Sequence, residues 1–230
     1  MTLSESPPAG DTPAQAAQLI HPFDVPAKKA LSLCDQHHEM VTIIMKGHES
    51  KPDCKYIMHK SVACYYSPVL DKAFNGPFIE GQTQTFTIED FAWPGTFGAI
   101  QSWMYTQKTD TWKAEWGNAY GAKLYALYIL ADRMLMPKLQ NEAIVLLLAA
   151  KCLPFRWLEY IYKETSPESK LRLCIIDQSA SSLTWAKVKG LYLTVDTPAE
   201  FLLDVLSALA RDIPPIRQNI KAEDYLVPET

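Results

Sequence analysis

Between Met40 and Ala150 the apolar residues change their spacing several times, from the repeat of short strands to the repeat of helices. A chain patterned in this way has to build a mixed α+β domain. Val41-Thr42-Ile43-Ile44-Met45 is a β-branched run closed by Gly47, which predicts a buried strand. A polar turn from His48 to Asp53 leads to Cys54-Lys55-Tyr56-Ile57-Met58, so the two runs are expected to form a hairpin. His59 to Tyr66 then carries helical spacing at Val62, Ala63 and Tyr66. Ser67-Pro68 is a helix start, a hydroxyl N-cap followed by proline at the first helical position. Val69, Leu70, Ala73 and Phe74 supply the buried stripe, and Asn75-Gly76-Pro77 ends it.

Thr83-Gln84-Thr85-Phe86-Thr87-Ile88 alternates and predicts a third strand. Glu89-Asp90 and Trp93-Pro94 begin the next helix, with Phe97, Ile100 and Met104 on one face and Trp103 beside them. A polar loop from Thr106 precedes a helix marked by Leu124, Leu127, Tyr128, Ala131, Met134 and Leu135. Pro137 opens another, with Leu139, Ala143, Leu146, Leu147 and Ala150 inward. Helices dominate this order.

Two further helical patterns follow Lys151, making residues 151–215 a helical extension. Thr165-Ser166-Pro167-Glu168 precedes Leu171, Leu173, Ile175 and Ile176. Thr197-Pro198-Ala199-Glu200 has the spacing of a capping box, ahead of Phe201, Leu202, Val205, Leu206, Leu209 and Ile213. Left in water, these faces forgo about 25 cal/mol per Å² of apolar area, so they are expected to dock onto the domain. Residues 216–230, beyond Pro214-Pro215, read as a frayed tail. Residues 1–36 hold Pro7, Pro8, Pro13, Pro22 and Pro26 among small polar residues, and read as a flexible tail that buries too little to offset ordering entropy.

Composition narrows the function. The chain is 48% hydrophobic, enough for a sizeable core, and its net charge of −4 comes with no block of Lys and Arg. Nucleic acid is therefore not an expected partner. The longest apolar runs, Leu124–Ala131 and Ala143–Ala150, are too short for a hydrocarbon layer of ~30 Å, so no membrane is expected either. With no basic, apolar leader at Met1–Pro8, the expected location is the cytoplasm, the nucleus or both.

The five cysteines lack a CxxC pair and suggest reduced thiols. Cys34, His37, His38, His48 and Cys54 include zinc-ligand types, but their spacing matches no standard finger, and no metal is expected. Gly95 to Gly98 and Gly117 to Gly121 lack both the spacing and the lysine of a phosphate loop. No GxSxG elbow occurs. Glu89-Asp90 are neighbours whose side chains point apart on a strand, which does not make an acid/base pair. Neither catalytic residues nor a cofactor are expected.

The residues themselves resemble a family. Val41-Thr42-Ile43-Ile44, Tyr56-Ile57-Met58-His59-Lys60-Ser61-Val62, Tyr66-Ser67-Pro68-Val69-Leu70 and Phe78-Ile79-Glu80 look like successive signatures of the BTB/POZ domain. Phe86-Thr87-Ile88-Glu89-Asp90, Phe97 through Trp103-Met104-Tyr105-Thr106, and Leu130-Ala131-Asp132-Arg133-Met134 with Met136-Pro137-Lys138-Leu139 continue them in order. The resemblance covers about residues 37–150. The extension, with Ile161-Tyr162-Lys163-Glu164-Thr165 and Leu171-Arg172, is similar to the tail of short BTB proteins of filamentous fungi.

This resemblance implies a small sheet flanked by helical hairpins, and a protein that self-associates and recruits partners. One use in the family is as a substrate adaptor for a cullin-RING ubiquitin ligase; another is as a dimeric scaffold or transcriptional regulator. The implied cullin-facing surface is the helix near Phe97–Tyr105, and Phe78-x-Glu80 is similar to a hydrophobic-x-acid pattern of some cullin binders. Phe78, Glu80, Phe97, Met104 and Tyr105 are thus the candidate interface residues. His59, Lys60, Ser67, Ala131 and Asp132 are motif residues expected to act structurally. The family commonly pairs an acid just before the first strand with a basic residue after the motif's histidine, lining a charged pocket at the dimer groove in some members. Lys60 fits the basic position, but Met40 occupies the acidic one. Glu39 is one residue early, which on a strand turns it to the other face, so it is not an obvious substitute for that acid.

Overall fold

The computed structural model describes residues 31–33, 39–47, 52–110, 112–151, 153–182, 197–211 and 221–229. Nearly all of the 1–36 tail, Cys34, His37, His38 and His48, and Ile213 to Pro215 lie outside the described residues.

Three strands form one sheet in the order β2-β1-β3. β1 (Met40–Met45) and β2 (Cys54–His59) are antiparallel, with Val41 opposite Met58 and Ile43 opposite Tyr56. β3 (Thr85–Ile88) runs parallel to β1, with Ile43 opposite Phe86. Val41, Ile43 and Met45 point inward and are almost fully buried, as alternation on a one-sided sheet requires.

The chain between β2 and β3 makes α1 (Lys60–Tyr66), α2 (Pro68–Asn75) and α3 (Ile79–Thr83). Thr83 therefore closes a helix instead of starting the third strand, which begins only after Gln84 turns the chain at φ 50°. After β3 come α4 (Thr96–Thr106), α5 (Trp112–Trp116), α6 (Tyr120–Arg133) and α7 (Pro137–Ala150). α4 starts at Thr96, later than the acidic pair and proline suggested. α5 lies within the segment read as a polar loop; its two tryptophans stack at 5.0 Å, and a five-residue helix is too short to show a period. Leu135, expected inward, is exposed at φ 54°, where the chain reverses between α6 and α7. On α7 the inward side runs through Leu139, Ala143, Ile144 and Leu147, while Leu146 and Ala150 are half-buried.

Ser67 locks the first helical hairpin. Its hydroxyl accepts the N–H of Leu70 at 3.2 Å as the N-cap of α2 and donates to the carbonyl of Met134 at 2.8 Å, while itself fully buried.

Beyond α7 the chain forms α8 (Leu158–Glu164), α9 (Lys170–Ser182) and α10 (Ala199–Arg211). Leu158, Ile161, Leu171, Cys174 and Ile175 join the same buried cluster as α6. Arg133 at the end of α6 pairs with Glu164 and lies over the Phe91 ring, tying α8 to the domain. Leu173, expected inward, is exposed, and Cys174 takes its place. On α10 only Phe201 and Val205 are buried; Leu202 and Leu206 stay in solvent. The Glu200 carboxylate, expected to reach back to Thr197, pairs with Arg172 at 3.3 Å.

Within residues 216–230, read from the sequence as frayed, a short 3-10 turn at Ala222–Tyr225 packs against α7 and α9. Tyr225 is 2% exposed. Among the described residues, no helix is long and apolar enough to cross a membrane.

A candidate protein-interaction surface

The α2–α3 corner is built from glycines and one glutamine. A Cβ on Gly76 would lie 2.3 Å from the Lys72 carbonyl oxygen, and one on Gly81 would lie 2.2 Å from that of Gly76. Only glycine permits such backbone approach. The Phe78 carbonyl accepts the N–H groups of Gly81 and Gln82, and Gln84 Nε2 donates to the Gly81 and Phe74 carbonyls at 2.5 and 3.2 Å. This braced corner holds Phe78 and Ile79 side by side, 63% and 62% exposed, with half-buried Glu80 next in line. Adjacent large apolar groups on a fixed backbone can enter an apolar pocket of another protein at little ordering cost. The expectation from sequence included Phe78 and Glu80 but not Ile79; the five residues of α3 carry too little pattern to say which would be left outside.

Phe97 and Met104 belong elsewhere. They are 0% and 1% exposed, on the face of α4 turned to the core, and the Phe97 ring lies 5.3 Å from that of Tyr56. Their helical spacing already put them on a buried stripe, and the structure removes them as interface residues. Tyr105, at the end of α4, is exposed and holds the strand-to-helix junction. Its hydroxyl accepts the N–H of His59 at 3.0 Å and lies 2.7 Å from His59 Nδ1. Ala131 is fully buried, and Asp132 Oδ1 accepts Gln140 Nε2 at 2.9 Å between α6 and α7.

Lys60 pairs with Glu39, the less obvious acid, at 3.0 Å. The ladder sets Met40 opposite His59, so the next pair is Glu39 opposite Lys60, and the Lys60 N–H donates to the Glu39 carbonyl at 2.8 Å. Directly opposed residues share a face, which is why the shifted acid still reaches its base.

Beside α4, a cleft of about 520 Å³ opens between Cys54, Trp93, Pro94, Ser102, Trp112 and Trp116. The carbonyl of Pro94, one of its lining residues, accepts the Tyr56 hydroxyl at 3.0 Å, and burial pushes that phenol up to about 12. Lys123 Nζ lies 5.4 Å above the Trp116 ring. α5 forms one side of the cleft, so a reading that made α5 a loop could not see it.

The family model of the BTB/POZ domain matches residues 32–150. The chain belongs to the BTB/POZ family, whose domains are protein–protein interaction modules. A search of curated proteins finds no significant match.

Proposed function

We propose that the protein is a recruiting adaptor that offers Phe78 and Ile79 to a cullin and catalyses nothing itself. The α2–α3 corner carries this reading. Two neighbouring apolar side chains in water add nothing to the stability of the isolated chain, and gain value only when a partner covers them. The hydrophobic-x-acid pattern of Phe78-Ile79-Glu80 points to the cullin in particular. Immobilised cullin N-terminal domain should capture the wild-type chain and lose at least about ten-fold in affinity for Phe78→Asp, one such factor being about 1.4 kcal/mol. Equal capture of both would defeat the reading.

Two observations favour a second reading, self-association as a scaffold or transcriptional regulator. Leu33 and Met40, before and at the start of β1, are 40% and 46% exposed. The Glu39–Lys60 pair restores the charged feature that this use draws on in the family. Light scattering at micromolar concentration separates a dimer from a chain that remains a monomer at every dilution.

A further inference from the structure

The segment Lys221–Glu229 sits on the helices as a bound peptide sits on a receptor. One aromatic side chain is sunk: Tyr225 is almost fully buried, and its hydroxyl donates to Asp177 Oδ2 of α9 at 2.6 Å. One side-chain amide clasps the backbone: Asn141 Oδ1 of α7 accepts the Val227 N–H at 2.5 Å, and its Nδ2 donates to the Val227 carbonyl at 2.8 Å. Asn141 Nδ2 also lies 3.3 Å from Glu229 Oε1.

Asn141 is an unusual residue for this place. Asparagine is a poor helix former, and an amide that is 6% exposed is costly unless both of its ends are met. Here one residue of the C-terminal segment meets both. The hydrogen bonds that hold the segment thus come from side chains of α7 and α9 and not from a strand ladder. The backbone at Leu226 is extended, at φ −70° and ψ 142°. A buried aromatic anchor followed by a clasped extended backbone is the form in which short linear peptides are recognised.

We propose that the groove between α7 and α9 is a peptide-recognition site whose resident ligand is the chain's own segment Lys221–Glu229, and that it accepts the same sequence from a second copy once the resident is released. The resident belongs to the same chain as its groove, which gives it an intramolecular advantage over any free copy, so the resident wins until its anchor fails.

The test uses full-length protein carrying Tyr225→Ala and a labelled synthetic peptide of residues 221–230. The peptide should bind saturably, about ten-fold or more tighter than a peptide with the same Tyr225→Ala change. Adding Asn141→Ala to the protein should weaken binding by about ten-fold, and wild-type protein, its groove filled, should bind at least about ten-fold more weakly than Tyr225→Ala. No saturable binding to the folded variant, or equal binding of the two peptides, overturns the proposal. Amide exchange of the unaltered chain tests it without any variant. The Val227 amide should exchange through local opening, faster than the amides of α6; exchange in step with α6 would make the segment part of the core and overturn the proposal.

Discussion

The hydroxyl of Ser67 and the carbonyl of Met134 meet at 2.8 Å, joining the α1–α2 junction to the end of α6 across 67 residues of chain. The same oxygen caps α2 by accepting the Leu70 N–H. Ser67→Ala removes the cap and strands a buried carbonyl, which together cost about 2 kcal/mol, with a range of roughly 1–3. Urea unfolding should show the midpoint falling with an unchanged slope. A midpoint within error of wild type would mean that water replaces the hydroxyl.

Phe97→Ala and Met104→Ala should act through stability. Both side chains are enclosed, so truncation leaves a cavity and costs about 3–5 kcal/mol for the phenylalanine and about 2–5 for the methionine. Thermal unfolding checks this. Either variant melting at the wild-type temperature would show that the site lies open.

The elements with a clear period were legible in the sequence. β1, α2 and the cores of α4, α6 and α7 fall where alternation, helical spacing and the Ser67-Pro68 and Pro137 starts put them. What escaped had no periodic signal. α3 and α5 are each five residues long, and the Glu39–Lys60 pair depends on the register between two strands, not on spacing within one. Tyr225 escaped for another reason. Its partner Asp177 is 48 residues away, and Val227 lies 86 residues from Asn141, and nothing local marks a residue as anchored at that range. Part of the apolar stripe on α10 misled in the opposite sense: amphipathic spacing names a face, and while Phe201, Val205 and Leu209 pack against the core, Leu202 and Leu206 stay exposed.

Alkaline pH should weaken the fold. Burial pushes Tyr56, Tyr128 and Tyr160 up to about 12, and Tyr225, desolvated and bonded to Asp177, is raised further. In the unfolded chain tyrosine ionises near 10, so above that pH the unfolded state sheds protons that the native state keeps. Stability is therefore full below about pH 10 and falls as pH rises from there toward 12. Urea midpoints at pH 8 and pH 11 should differ, with the lower value at pH 11. Identical midpoints would show these phenols to be solvated.

The Glu39–Lys60 pair should matter little to stability. Glu39 is largely exposed, and exposed ion pairs contribute about 0–1 kcal/mol. Lys60→Ala should shift the urea midpoint only slightly, and less still in 0.5 M salt. A loss as large as that of Ser67→Ala would mark the pair as a structural element of the β1–β2 ladder.

The proposed adaptor role depends most on the corner that holds Phe78 and Ile79. The decisive measurement is binding of purified cullin N-terminal domain to wild-type chain and to the Phe78→Asp, Ile79→Asp double variant, with thermal unfolding of both. Because these side chains are exposed, the variant should melt within a few degrees of wild type, as surface changes of about ±0.5 kcal/mol do, and should lose cullin binding. Undiminished binding by a folded variant, or no binding by the wild-type chain, would contradict the adaptor reading.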